Sequence, residues 1–242
     1  ILTFHHIVCD GWSLGIIMQD LSKMYSALVN GVEYTDEPAI SYVEYANEEQ
    51  LYLKSDESAQ VENYWLKQYQ GDIPAMELPL NKQRPALRTY SAKRVNVEVN
   101  PDLIDSIKKI GAKQGTSFVA TFVAAFEIFM HRITGSEDIV VGLAAAGQSL
   151  EGKQNLVGHC VNLLPLRSKI NSHSTFNEYL KLRKPEILDA YDHQRYTFGS
   201  LIQKLNIPRD PSRIPLVPVS FNVDLGITNG VNFEGCSYTF TT

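Results

Sequence analysis

The sequence predicts an α/β fold in which the helices are longer than the strands. Apolar residues recur at steps of three and four over residues 12–29, which is typical of an amphipathic helix. Residues 116–133 are apolar on nearly every side, which is typical of a buried helix. The β-branched runs 138–144 and 161–167 are typical of strands. Helical and extended patterns therefore mix along the chain.

The other elements follow from capping residues and shorter patterns. Asn100, Pro101 and Asp102 predict a helix start, with a capping side chain, a proline at the first position and an acid facing the helix dipole. Thr175 and Glu178 form the pattern of a capping box. Further helices are expected over 41–70 (as one helix or two), 175–190 and 198–205, and further strands over 1–8, 94–99, 216–223 and 231–240.

Composition indicates an ordinary globular protein and excludes some classes of function. The 242 residues carry 22 Lys+Arg and 27 Asp+Glu, a formal net charge of −5, which makes non-specific nucleic-acid binding a poor hypothesis. No apolar run approaches the ~20 residues that span a bilayer. Cys9, Cys160 and Cys236 are widely spaced and odd in number, so they predict neither a disulfide framework nor a metal site. They indicate a reduced, cytoplasmic setting.

A proline-rich stretch provides the best domain boundary in the sequence. Three prolines fall within residues 71–91, which predicts a linker and divides the chain into lobes 1–85 and 86–242. Residues 1–4 begin like the middle of a strand, and residues 237–242 alternate like a strand that stops without a turn. We therefore expect both ends to be cuts in a longer polypeptide.

The densest group of reactive residues lies where the first predicted strand meets the first predicted helix. In a strand, His5 and His6 would point to opposite faces, so they would not share one role. A neutral imidazole is suited to accept a proton from an amine or hydroxyl nucleophile. Asp10 could hold the turn, and Gly11 lets the backbone turn without a Cβ clash. A purely structural pair of histidines and a metal site stay open, although close third and fourth ligands are lacking.

The string His5-His6-x-x-x-Asp10-Gly11 resembles the HHxxxDG signature of nonribosomal peptide synthetase condensation domains. Other segments resemble the family's later motifs in the same order, across nearly the whole chain. They are YVEYA at 42–46, Gly142 in DIVVG, the segment 157–167 (similar to GxFVNTxxxR), HQRYTF at 193–198 (a degenerate HQDxPFE) and RDPSRIPL at 209–216 (close to RDxSRNPL). The departures include His159 and Cys160 where aromatic residues are common.

The resemblance implies a two-lobed fold like that of chloramphenicol acetyltransferase, incomplete at both ends, with a tunnel between the lobes. It implies an acyltransferase that forms an amide between a thioester donor and an amine acceptor. Each substrate would be carried on the phosphopantetheine arm of a carrier protein, and the domain itself would bind no cofactor and no metal. Donor and acceptor carrier proteins and a neighbouring adenylation domain would be its partners, with no nucleic acid and no membrane.

The resemblance also implies roles for individual residues. His6 matches the histidine usually called catalytic, which would take a proton from the acceptor amine or position that amine, while His5 supports the motif. The Gly11 N–H is a candidate donor to the tetrahedral oxyanion. Asp10 would be structural, and its expected partner is Arg167, at the end of a strand in the other lobe.

Three further residues are candidates for lining the tunnel. Trp12 and Ser13 follow the motif directly, and Asn222 ends an apolar strand. Asn222 could equally cap the turn that follows it.

Four alternatives compete with condensation. An epimerisation domain shares the histidine motif, but the Asp-Gly-Trp string at 10–12 favours condensation. A heterocyclisation domain would replace the histidines with Asp. A free-standing acyltransferase that uses coenzyme A shares the fold, but the downstream segments argue against it. A docking module that binds carrier proteins without turnover agrees with the degenerate segment 193–198. We expect the isolated fragment to be inactive, since a tunnel needs both walls.

Overall fold

The structure is a computed structural model, and it describes residues 1–35, 38–73, 76–150, 152–208, 210–224 and 229–239. The described residues contain both helices and strands, as the sequence predicts. In chain order the elements are α1 (Gly11–Val29), α2 (Tyr42–Tyr52), α3 (Asp56–Gln68), α4 (Pro101–Lys113), α5 (Phe118–Thr134), β1 (Asp138–Ala146), a 3₁₀ turn (Gly147–Ser149), β2 (Val161–Lys169), α6 (Phe176–Asp192), α7 (Phe198–Leu205) and β3 (Ser220–Phe221).

The chain packs as two compact units. Unit 1 comprises Ile1–Ala59, Ala145–Asn162 and Val223–Thr242, and unit 2 comprises Gln60–Ala144 and Leu163–Asn222. The chain therefore passes from one unit to the other four times, and these units do not divide at residue 85. The two lobes expected at 1–85 and 86–242 stay a prediction.

Local capping explains where the helices begin. Asn100 caps α4 by accepting a hydrogen bond from the Asp102 N–H at 2.8 Å, with proline in the first turn, as predicted. The capping box of α6 is also confirmed, because Thr175 and Glu178 each bind the other's backbone N–H. The predicted helical stretch 41–70 forms two helices, since Ser55 accepts from the Ser58 N–H at 3.1 Å and starts α3.

A three-stranded sheet of order β2-β1-β3 forms the centre of unit 2. Strand β3 runs parallel to β1, with Gly142 opposite Ser220. A Cβ atom at Gly142 would lie 2.6 Å from Val217 and 2.8 Å from Leu163, so only glycine allows this approach. The sheet, α5 and α6 share one apolar core, whose buried members are Met76, Ala124, Met130, Ile139, Val141, Ile170, Tyr179 and Leu180.

Three predicted strands are wrong, and a fourth is much shorter than expected. Residues 1–8, 94–99 and 231–239 form no strand in the structure, and residue 240 lies outside the described residues. The predicted strand 216–223 is reduced to the two residues of β3. A strand is stabilised by a paired neighbour, and no described strand pairs with these segments. Val95 and Val97 accordingly lie 84% and 77% exposed.

Helix α5 is buried on most of its surface but not on all of it. Val123 and Ala124 are fully buried, whereas Phe129 is 53% exposed, so the expectation of burial on nearly every side was too strong. Over the described ranges, no single helix has the length and apolar character needed to cross a membrane. Helices α4 and α5 meet that test only as a pair, bent by 103°.

Candidate functional site

Asp10 is the N-cap of α1 and lies almost fully buried in unit 1. Its Oδ1 atom accepts hydrogen bonds from the Ser13 N–H at 2.9 Å and from the Gln148 side-chain amide at 3.1 Å. Its Oδ2 atom accepts from the same Gln148 amide at 2.9 Å and from the Cys160 N–H at 2.9 Å. The carboxylate therefore joins the start of α1 to two positions of the segment 148–160.

Ser13 makes a second connection between the same two parts of unit 1. Its hydroxyl oxygen lies 2.8 Å from both Asp10 Oδ1 and the Gly158 carbonyl, and it accepts from the Gly158 N–H at 2.9 Å. Ser13 is completely buried. Ser13 therefore has a structural part in unit 1, and its predicted place in a tunnel stays a prediction.

Electrostatics in this network fix the charge on Asp10. Burial alone would raise the pKa of the Asp10 carboxyl, but the hydrogen bonds from Gln148, Ser13 and Cys160 together outweigh it and hold the pKa below its usual value. Burial first, and then the Asp10 charge, raise the pKa of the Cys160 thiol to about 11. Around neutral pH the network therefore contains one carboxylate and a neutral thiol.

His6 lies against His159 in unit 1. Their Nδ1 atoms are 3.2 Å apart, and the two rings meet edge to face with centroids 5.0 Å apart. Both histidines are exposed, whereas Gly158 and Cys160 on either side of His159 are buried. His159 was not among the site residues predicted from the sequence, although an aromatic residue is common at this position in the family motif. The buried residues on either side of His159 thus place its imidazole next to that of His6.

His5, Gly11 and Trp12, which lie in the signature or directly after it, each have different neighbours. His5 accepts a hydrogen bond from the Ile7 N–H on its Nδ1 atom at 3.2 Å, within the turn itself. Gly11 is the first residue of α1, so its N–H is among those that no helical carbonyl binds. Trp12 donates its indole N–H to the Gln154 carbonyl at 2.9 Å.

The expected ion pair between Asp10 and Arg167 stays a prediction, and each of the two side chains has partners within its own unit. Arg167 lies in unit 2, where its Nη2 and Nε atoms bind the Asp138 carboxylate at 2.7 and 3.0 Å. It also donates to the backbone carbonyls of Gln68 and Asp72. The donors of Gln148, Ser13 and Cys160 satisfy the Asp10 carboxylate within unit 1, so each charge is matched inside its own unit.

The remaining predictions from the sequence concern Asn222 and a possible metal site. Asn222 is exposed at the end of β3, and its predicted place in a tunnel stays a prediction. Among the described residues, no three His, Cys, Asp or Glu side chains lie close enough together to hold a metal ion. Gln148 was not anticipated, because only the folded chain brings its amide to Asp10.

Comparison with known proteins identifies the family. The condensation domain family matches residues 1–229. Tyrocidine synthase 3 of Brevibacillus parabrevis is 36% identical over 223 residues, which cover 91% of this chain and 3% of that protein. The chain therefore belongs to the condensation domain family, and it spans only a small part of the synthases that it resembles.

Solved structures agree on the fold. The first condensation domain of the CDA synthetase has a TM-score of 0.75 at 21% identity, over 96% of this chain and 50% of that one. The X-domain from teicoplanin biosynthesis, solved in complex with OxyB, has a TM-score of 0.75 at 21% identity, over 89% and 49%. The fold is thus the chloramphenicol acetyltransferase-like α/β fold of condensation domains, and the chain spans about half of each.

Proposed function

We propose that this chain carries the histidine centre of a condensation reaction. The reaction joins a carrier-bound acyl or peptidyl thioester to the amino group of a carrier-bound aminoacyl acceptor. The observation that carries the proposal is the exposed His6 imidazole, which lies in the turn before a helix start that the buried Asp10 network fixes. Because the helix start is fixed, holding the nearby His6 imidazole in position costs little further conformational entropy.

The step that we assign to His6 is proton transfer during attack on the thioester. The acceptor nitrogen forms a bond to the thioester carbonyl carbon, and its proton passes to His6 Nε2. The carbon–sulfur bond then breaks, and the departing thiolate takes the proton. The products are an amide and a free thiol. The Gly11 N–H, free of helical bonding at the positive end of α1, is suited to bind the oxyanion between these two events.

The partners in this proposal are two carrier proteins, and a neighbouring adenylation domain that loads one of them. Both substrates arrive on phosphopantetheine arms, so the domain needs no resident cofactor. A cytoplasmic location agrees with three cysteines that form no disulfide in the structure. Nucleic acid and membrane have no part in the reaction.

Amide formation between two loaded carrier proteins tests the proposal. The assay uses the native polypeptide that contains this chain, with product release followed by mass spectrometry. We expect His6→Ala to slow amide formation about 10²–10⁴-fold, the usual worth of a positioned base. His5→Ala is the matched control, since within the described part of the chain His5 contacts only the Ile7 N–H. Its rate should stay within a few-fold of that of the unmodified protein. Equal rates for His6→Ala and the unmodified protein would refute the role of His6.

A second candidate is a docking module without turnover. It is favoured by the likeness to the teicoplanin X-domain, which was solved in complex with another protein. Such a module would bind carrier proteins and yield no amide under any loading. The same assay therefore separates the two functions, since only a condensation domain gives a product that depends on His6.

A further inference from the structure

We propose that His159 is a positioning residue that holds His6 in one tautomer, with the proton on Nδ1 and a free lone pair on Nε2. This inference rests on the proposed function, because it concerns the same histidine. The Nδ1 atoms of the two rings lie 3.2 Å apart, so one ring donates and the other accepts. When His6 is the donor, its Nε2 atom is left as the base that the reaction needs.

The contact has a defined geometry because the backbone on both sides of His159 is fixed. The Cys160 N–H binds Asp10, and Gly158 exchanges hydrogen bonds with the Ser13 hydroxyl. The His159 carbonyl accepts from the Tyr42 hydroxyl at 3.1 Å. Three consecutive residues are thus held by separate partners, while the His159 side chain stays exposed beside His6.

Gly158 shows how closely this segment is packed. A Cβ atom at Gly158 would lie 2.2 Å from the Tyr42 ring, so only glycine fits between the segment and α2. The His6 Nε2 atom has no hydrogen-bond partner in the part of the chain that the structure describes. The two ring nitrogens of His6 therefore differ, because Nδ1 contacts His159 and Nε2 is free among the described residues.

The titratable groups next to the two histidines each keep one charge state around neutral pH. The hydrogen bonds described above keep the pKa of Asp10 low, so it stays ionised. Burial raises the pKa of the Cys160 thiol to about 11 and is the main cause of raised pKa values at Tyr42 and Tyr45, so these groups stay neutral. Glu49 also faces this cluster and adds a negative charge to it.

Proton binding to either ring should disrupt the contact. A proton on His6 occupies the base, and a proton on the His159 Nδ1 atom removes the acceptor, so full activity needs both rings neutral. The acid limb of log(kcat/KM) against pH should therefore be steeper when both histidines are present. A residue with only a packing role would not change this slope.

Two substitutions of His159 distinguish its role as hydrogen-bond acceptor from the effect of its protonation. His159→Phe keeps an aromatic ring but removes the acceptor, and we expect kcat/KM for amide formation to fall about tenfold, as for loss of one hydrogen bond. His159→Asn restores an acceptor oxygen near the Nδ1 position, and its kcat/KM should lie within about threefold of the value for the unmodified protein. Both variants should have a shallower acid limb than the unmodified protein. Thermal melts check that each variant is folded.

A spectroscopic measurement tests the tautomer without relying on activity. Correlation spectra of ¹⁵N-labelled histidine distinguish Nδ1–H from Nε2–H rings, and His6→Ala identifies the His6 signals. We expect the Nδ1–H tautomer for His6 in the unmodified protein and a mixture in His159→Phe.

An Nε2–H signal for His6 in the unmodified protein overturns the inference. A His159→Phe variant with unchanged rate and unchanged slope also overturns it, as does a His159→Asn variant no faster than His159→Phe. Failure of the proposed function looks different: no product forms at all, or His6→Ala makes it as fast as the unmodified protein. In that case the tautomer spectra still decide whether His159 holds His6.

Discussion

Gln148 donates its side-chain amide to both carboxylate oxygens of Asp10, at 3.1 and 2.9 Å. Both side chains are buried, and they lie 138 residues apart in the sequence. The aspartate of the HHxxxDG signature thus connects two segments of unit 1, namely the turn that carries His5 and His6 and the segment that carries His159. The consequences for stability can be measured directly.

Replacing Asp10 should destabilise the protein strongly. Asp10→Ala removes a helix cap, leaves the Cys160 N–H without its acceptor and leaves the Gln148 amide with only its long bond to the Gly158 carbonyl. We therefore expect a loss of about 2–4 kcal/mol in the free energy of unfolding. Asp20→Ala, at a half-buried position of the same helix, is the matched control and should change it by less than ~0.5 kcal/mol. Urea denaturation measures both. Equal effects of the two variants would show that the network adds no stability.

The contribution of Asp10 should disappear in acid. Its pKa is lowered in the folded protein from an ordinary value of 3.8, so its stabilising effect is fully present above that value and is lost as the pH falls through the lower, folded pKa. The difference in unfolding free energy between the unmodified protein and Asp10→Ala should be constant from pH 5 to 7 and shrink below about pH 4. A difference that stays constant down to pH 2 would contradict this.

Arg167 should be coupled energetically to Asp138. The guanidinium binds this carboxylate through two nitrogens, and the Arg167 side chain is only 11% exposed. A double-mutant cycle with Arg167→Ala and Asp138→Ala should give a coupling of about 1–2 kcal/mol. The exposed pair Lys108–Asp105 serves as control and should give less than ~0.5 kcal/mol. Similar values for the two pairs would mean that the partial burial of Arg167 has no effect.

Two glutamates around Arg183 should differ sharply in their effect on stability. Glu127 is fully buried, binds Arg183 at 2.7 Å and accepts from Tyr179 at 2.6 Å, whereas the Glu186 side chain is 59% exposed. Glu127→Ala leaves a buried cation without its partner and should cost about 3–5 kcal/mol. Glu186→Ala should cost less than ~1 kcal/mol. Chemical denaturation of both variants tests this order, and its reversal would contradict it.

The three cysteines should react at different rates with an alkylating reagent. Cys9 and Cys160 are buried, and burial is the main cause of their raised pKa values, whereas Cys236 is exposed. At pH 8 we expect iodoacetamide to modify Cys236 first, because the thiolate is the reactive form and needs access. Peptide mass spectrometry over time gives the order. Early labelling of Cys160 would show that the segment beside His159 opens readily.

Local sequence determined the helices because their starting signals lie within a few residues. Asn100 caps α4 with a bond to a residue two positions away, and Thr175 with Glu178 starts α6 in the same local way. The HHxxxDG string likewise indicated the family and His6, since its residues are adjacent in the chain. These features need no distant partner, so their patterns were sufficient.

The tertiary structure decided which distant groups meet. Residues 94–99 alternate like a strand but form none, because backbone hydrogen bonding in a sheet requires a neighbour that alternation cannot supply. The resemblance implied Arg167 as the partner of Asp10, and within unit 1 Asp10 binds the neutral donors Gln148 and Cys160, 138 and 150 residues away. His159 reaches His6 across 153 residues. Sequence spacing carries no information on such contacts, since they depend on how separate segments pack.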